Sequence, residues 1–83
     1  MKQYELLTRA KLSLKIKDYE QAIVFLNRAL KENQNNPNLY ILLGNAYQSL
    51  KEYDRAIESY TNAISKNNKL IEAYNNLGVI YKN

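Results

Sequence analysis

The chain has 83 residues, 46% of them apolar and 24% charged, with a formal net charge of +4 and neither cysteine nor histidine. That length holds one domain at most, and the missing thiols and imidazoles exclude a disulfide framework, thiolate chemistry, the commonest metal ligand and the usual general base near neutral pH. No apolar run approaches the roughly 20 residues that span a bilayer, and the opening MKQYELLTRAKLSLK lacks the apolar core and small-residue cleavage site of a secretory signal, so an intracellular, cytoplasmic protein without a membrane partner is expected.

Helix-period spacing dominates the chain, and strand-type alternation is sustained nowhere. A single proline, Pro37, and two glycines, Gly44 and Gly78, fit long elements with few tight turns. The first helix is predicted at about 4–16. There Leu6, Leu7, Ala10 and Leu14 recur at steps of three and four, joined by Leu12 and Ile16, on one helical face. Lys17-Asp18-Tyr19 is a break, and Asp18 followed three residues later by Gln21 has the capping-box form. The second helix, 19–33, carries Tyr19, Ala22, Ile23, Leu26, Ala29 and Leu30 at the same period. Asn33 to Pro37 is a loop; Asn36 can cap the third helix, 37–50, and Pro37 fits its first turn, where a missing N–H costs nothing. The fourth helix, 53–67, closes at Lys66-Asn67-Asn68-Lys69, with cations near its negative end. The fifth runs from 71 to 82.

Sliding the chain against itself by 34 residues superposes Lys17-Asp18-Tyr19-Glu20-Gln21-Ala22-Ile23 on Lys51-Glu52-Tyr53-Asp54-Arg55-Ala56-Ile57. The same offset sets Ala29-Leu30 on Ala63-Ile64, Asn33 on Asn67, Tyr40 on Tyr74, Leu43-Gly44 on Leu77-Gly78, and Tyr47 on Tyr81. A fixed period over separate landmarks indicates a helical-hairpin repeat. The chain parses as one domain, 1–83, with repeats at 3–36 and 37–70 and a partial copy at 71–83. Antiparallel helices approach closely where small side chains meet, which pairs Gly44 with Ala56 and Ala10 with Ala22. Tyr47, Leu43 and Tyr60 then fill the space around the second contact, because interiors pack near crystal density. Ala63 is expected to face the next hairpin near Tyr74 and Leu77.

These residues resemble the tetratricopeptide repeat, whose pattern is an aromatic, Leu-Gly, Tyr, Ala, an aromatic and Ala. The second repeat matches at Tyr40, Leu43, Gly44, Tyr47, Tyr53, Ala56, Tyr60 and Ala63; the partial copy matches at Tyr74, Leu77, Gly78 and Tyr81. The first matches at Ala10, Tyr19, Ala22, Leu26 and Ala29, and departs at Arg9 and Ser13, where the family prefers Leu and Tyr. The family's common proline near the end of each repeat is replaced by Gln34 and Asn68. The resemblance implies an all-α, right-handed α-solenoid of antiparallel hairpins, two full repeats plus a terminal helix.

The end repeats differ. Arg9, Lys11, Ser13 and Lys15 read as the polar outer face that a terminal repeat needs, with Met1 near a natural start. The last helix instead keeps Tyr74, Leu77, Gly78, Ile80 and Tyr81, and Gly78 would admit a further antiparallel helix. Two readings follow: the chain is the first part of a longer array, or this face pairs with another copy through Tyr74, Leu77, Gly78 and Tyr81.

In function the resemblance implies a protein-interaction module or scaffold with a concave, peptide-binding groove. The inward side chains would be Tyr4, Leu7, Lys11, Leu14 and Lys15 of the first helix, Asn38, Ile41, Asn45 and Gln48 of the third, and Glu72, Asn75, Val79 and Lys82 of the fifth. Amides such as Asn45 can hold a peptide backbone, and the lysines favour an acidic or carboxylate-bearing peptide; the alternative for each is solvated surface. Some family members clamp a C-terminal carboxylate with lysines, an arginine and asparagines. The matching positions here are Leu7, Lys11, Leu42, Glu72 and Asn76, and Glu72 would repel that group. RNA binding by a related hairpin array is the weaker alternative, because lysines alternate with acids and form no dense basic stripe. Eight scattered acids without His or Cys assemble no nucleophile–base pair or metal cluster, so neither an enzyme nor a cofactor is expected.

Overall fold

A computed structural model describes residues 2–82. It contains five helices: α1 (Gln3–Lys15), α2 (Tyr19–Glu32), α3 (Pro37–Ser49), α4 (Tyr53–Lys66) and α5 (Ile71–Lys82). No strand occurs among the described residues. Every helix bound falls within one residue of the sequence expectation.

The turns explain why the bounds were readable. Asp18 Oδ1 accepts from the Gln21 backbone N–H at 3.2 Å, and Asn36 Oδ1 accepts from that of Asn38 at 3.0 Å, with Pro37 opening the helix. Each satisfies a donor that the first turn leaves unpaired. α1 and α3 end alike. Lys17 and Lys51 adopt left-handed backbone, φ 66° and 62°. The next residues, Asp18 and Glu52, donate back to Ser13 O and Tyr47 O at 2.8 and 2.9 Å. Lys17 and Lys51 themselves donate to Leu14 O and Gln48 O at 3.1 and 2.9 Å. This is the Schellman arrangement, used twice with lysine where glycine is usual. Between hairpins, Asn33 and Asn67 fold their side chains onto the N–H groups of Asn35 and Lys69, at 3.1 and 3.0 Å.

α2 packs against both α1 and α3, and α4 against both α3 and α5. Leu6, Ala10, Leu26, Ala29, Leu30, Leu39 and Leu43 form the first core cluster. Ile41, Ala56, Tyr60, Ala63, Ala73 and Ile80 form the second. Ala10, Ala22, Ala56 and Ala63 are wholly buried, which is why no larger residue stands there.

Two details differ from the expectation, and a third sharpens it. Leu12 and Ile16 do not join the α1 core face; they are 60% and 68% exposed. Their counterparts 34 residues on, Ala46 and Leu50, share a stripe of α3 with Leu39 and Leu43, which pack in the cluster beneath α2. No described helix precedes α1 to cover the matching stripe. Ser13 is not part of a polar outer face: it is buried, whereas Arg9, Lys11 and Lys15 are exposed. Its phase along α1 places it with Leu6 and Ala10, toward α2. Finally, a Cβ at Gly44 would lie 2.6 Å from Tyr60 Cε1, and its three nearest neighbours would all be Tyr60 ring atoms. Ala56 is buried one turn before Tyr60 on α4, and the tyrosine ring is the nearest group to Gly44.

Candidate ligand groove

Leu7 and Lys11 of α1, Leu39, Ile41 and Leu42 of α3 and Glu72 of α5 surround a cavity of about 250 Å3, with Asn36 and Asn38 at the start of α3. Five residues expected in the groove therefore meet there: Leu7, Lys11, Asn38, Ile41 and Glu72. Ile41 is only 4% exposed and belongs to the floor. Leu42 lines the cavity although the inward list did not include it. The helical period fixed its phase along α3, but not which neighbour would leave it accessible.

Asn45 and Gln48, on the same helix as Ile41, do not line this cavity and have a different role. Both contact the hydroxyl of Tyr60, whose ring is wholly buried. The phenol has one proton to donate. That proton lies between two acceptors, Asn45 Oδ1 and Gln48 Oε1, the second 3.0 Å away. Asn76 Nδ2 donates to Asn45 Oδ1 at 3.1 Å. Asn76 was the residue missed as a network member; it lies 31 positions from Asn45, so no local pattern joins the two. Burial pushes the Tyr60 phenol up to about 12, while the Asn76 amide lowers it and the Glu72 charge raises it. Tyr60 therefore stays neutral at physiological pH and acts as a fixed peg for Asn45.

No buried side-chain nitrogen or oxygen among the described residues lacks a partner. The atoms of the Asn45 and Asn76 amides left outside the network, Nδ2 of one and Oδ1 of the other, are therefore not fully buried. Turning the whole network round exchanges their roles. Either way, the pair presents one donor and one acceptor.

The remaining expected groove residues stand apart from the cavity. Tyr4, Lys15, Asn75, Val79 and Lys82 are exposed, and Leu14 is half-buried. On the α5 face, Gly78 has no atom within 4 Å of a built Cβ. Tyr81 is 68% exposed; Tyr74 is 49% exposed, its hydroxyl donating to Asn68 O at 3.2 Å. Leu77 instead packs toward the second core cluster.

The pattern described as TPR repeat matches residues 14–51 and 44–83. The chain is 37% identical over 76 residues to Superkiller protein 3 of Schizosaccharomyces pombe, covering 92% of this chain and 6% of that protein. It is also 37% identical over 62 residues to Tetratricopeptide repeat protein 12 of Mus musculus, covering 75% of this chain and 9% of the relative. The chain thus spans under a tenth of either curated relative. A crystal structure of MamA superposes with a TM-score of 0.93 at 31% identity, over 96% of this chain and 47% of that one. Sequence periodicity, helix stacking and these likenesses agree: the chain belongs to the tetratricopeptide repeat family, whose repeats mediate protein–protein interaction.

Proposed function

We propose that this chain is a non-enzymatic interaction module that holds an extended peptide segment of a partner protein along α1, α3 and α5. The observation that carries the reading is the Asn45–Asn76 pair: one donor and one acceptor left outside the Tyr60 network, one turn beyond Ile41 and Glu72 of the apolar cavity. A peptide bond offers the complementary acceptor and donor, and a side chain next to it can enter the cavity. Preorganised amides lose little freedom on binding.

Panning a random-peptide phage library against the chain tests this. Enriched peptides are expected to shift amide signals of α1, α3 and α5, and to bind about 2- to 10-fold more weakly to Asn76→Ala, the loss of one hydrogen bond. Asn76→Ala leaves Tyr60 its bonds to Asn45 and Gln48, so the fold survives the change. Enrichment only of peptides whose signals map to α2 and α4 rejects the groove.

One observation favours a second reading, self-association. Gly44 forms the recess for a tyrosine ring, and Gly78, its counterpart, is open and flanked by the exposed Tyr74 and Tyr81. An antiparallel contact between the α5 helices of two copies would seat each copy's ring on the other's glycine.

A further inference from the structure

We infer that the peptide accepted by this groove carries a fixed charge order: an acidic group over α1, an aliphatic side chain in the cavity, and a basic group over α5. This rests on the groove reading above. The cavity has an aliphatic floor of Leu7, Ile41 and Leu42, with Lys11 contributed by α1 and Glu72 by α5. α3, which supplies half of the lining, separates the two charges.

The salt bridge found among the described residues joins Arg55 and Glu52, so among those residues Lys11 and Glu72 are joined neither to each other nor to another side chain. Two exposed opposite charges thus border one apolar concavity without neutralising each other. Concave, low-dielectric walls strengthen the field of charges at their rim. A purely acidic segment would gain at Lys11 and lose at Glu72; a purely basic one would do the reverse. Only a segment carrying both signs, in one order, gains at both ends. Like-charge contacts then reject the inverse order, which is how charge sets specificity more than affinity.

Glu72 stands one helical turn before Asn76 on α5, on the same face. A peptide bond held on Asn45 and Asn76 therefore sits toward the basic end of the segment. Lys15, one turn beyond Lys11 on α1, extends the positive flank; Lys82 is exposed near the end of α5 and does not line the cavity.

The test is a parallel selection. A random-peptide phage library is panned against the unaltered chain and against the double variant Lys11→Glu/Glu72→Lys, with far-ultraviolet circular dichroism to show that both are folded. The unaltered chain is expected to enrich acid–aliphatic–base peptides in one direction, and the double variant the inverse order. A synthetic peptide selected on the unaltered chain should bind each single variant about 3- to 10-fold more weakly, as expected for exposed charge pairs turned from attraction to repulsion. Exchanging that peptide's own charges should restore binding to the double variant. Peptides that map to the groove but show no charge order, or that bind both proteins alike, overturn the charge order and leave the groove reading standing. Binding confined to α2 and α4 overturns both.

Discussion

Single atoms decide the packing at two glycines that sequence alone treats as equivalent. Alanine at position 44 would bring a methyl 2.6 Å from a wholly buried tyrosine ring, so the ring or the helix must shift. Gly44→Ala is expected to lower the stability read from urea midpoints by about 1–3 kcal/mol. Gly78→Ala meets nothing within 4 Å and removes the entropic penalty of a mid-helix glycine, so it should raise stability by about 0.5–1 kcal/mol. Opposite signs are the prediction; equal signs would reject the ring-in-recess packing. Tyr60 adds a pH dependence. Its folded value, about 12, exceeds the ordinary phenol value near 10, so the unfolded chain releases this proton first. The resulting stabilisation is complete below about pH 10 and disappears as pH rises to about 12. The stability gap between the parent and Tyr60→Phe should therefore shrink by about 1–3 kcal/mol across that window in urea titrations. A constant gap would show that the phenol is not desolvated.

At the scale of the element, each hairpin turn is held by local bonds that the sequence encodes directly. Asp18, Asn36 and Pro37 name the helix starts, and side-chain oxygens on the first N–H groups confirm them. The helix ends were less legible. Lys17 and Lys51 occupy left-handed backbone where sequence rules look for glycine; the capping box after Lys17 and the shared 34-residue spacing marked the breaks, but not that conformation. Lysine there carries a steric cost that glycine avoids. Lys17→Gly and Lys51→Gly are each expected to raise the thermal midpoint, by about 0.5–1 kcal/mol in stability. A fall would mean that the lysine stems contribute packing that outweighs the backbone strain. Periodicity also put Leu12 and Ile16 with the α1 core although both are exposed. An amphipathic pattern fixes the phase of a helix but not how many neighbours surround it, and α1 has α2 on one side only among the described helices.

Across the whole molecule, stacking leaves α5 covered chiefly by α4. Its open side carries Tyr74, Gly78 and Tyr81. If copies meet there, light scattering after size separation should report a mass that rises with concentration, and Gly78→Lys should abolish the rise while the helical content stays constant. A concentration-independent monomer mass rejects this pairing and leaves the groove untouched.

The sequence by itself determined the repeat, the five helices, their bounds and the alternation of small and large residues that lets them stack. These follow from backbone period, capping chemistry and side-chain volume, which act over a turn or two of helix. Only the tertiary structure decided that Gly44 seats Tyr60, that Ser13 turns inward, and that Lys11 and Glu72 flank one cavity. It also joined Asn45 to Tyr60 and Asn76, 15 and 31 positions away. Those relations depend on how separate helices are translated and rotated against one another, which the packing of the whole core sets and no local pattern encodes.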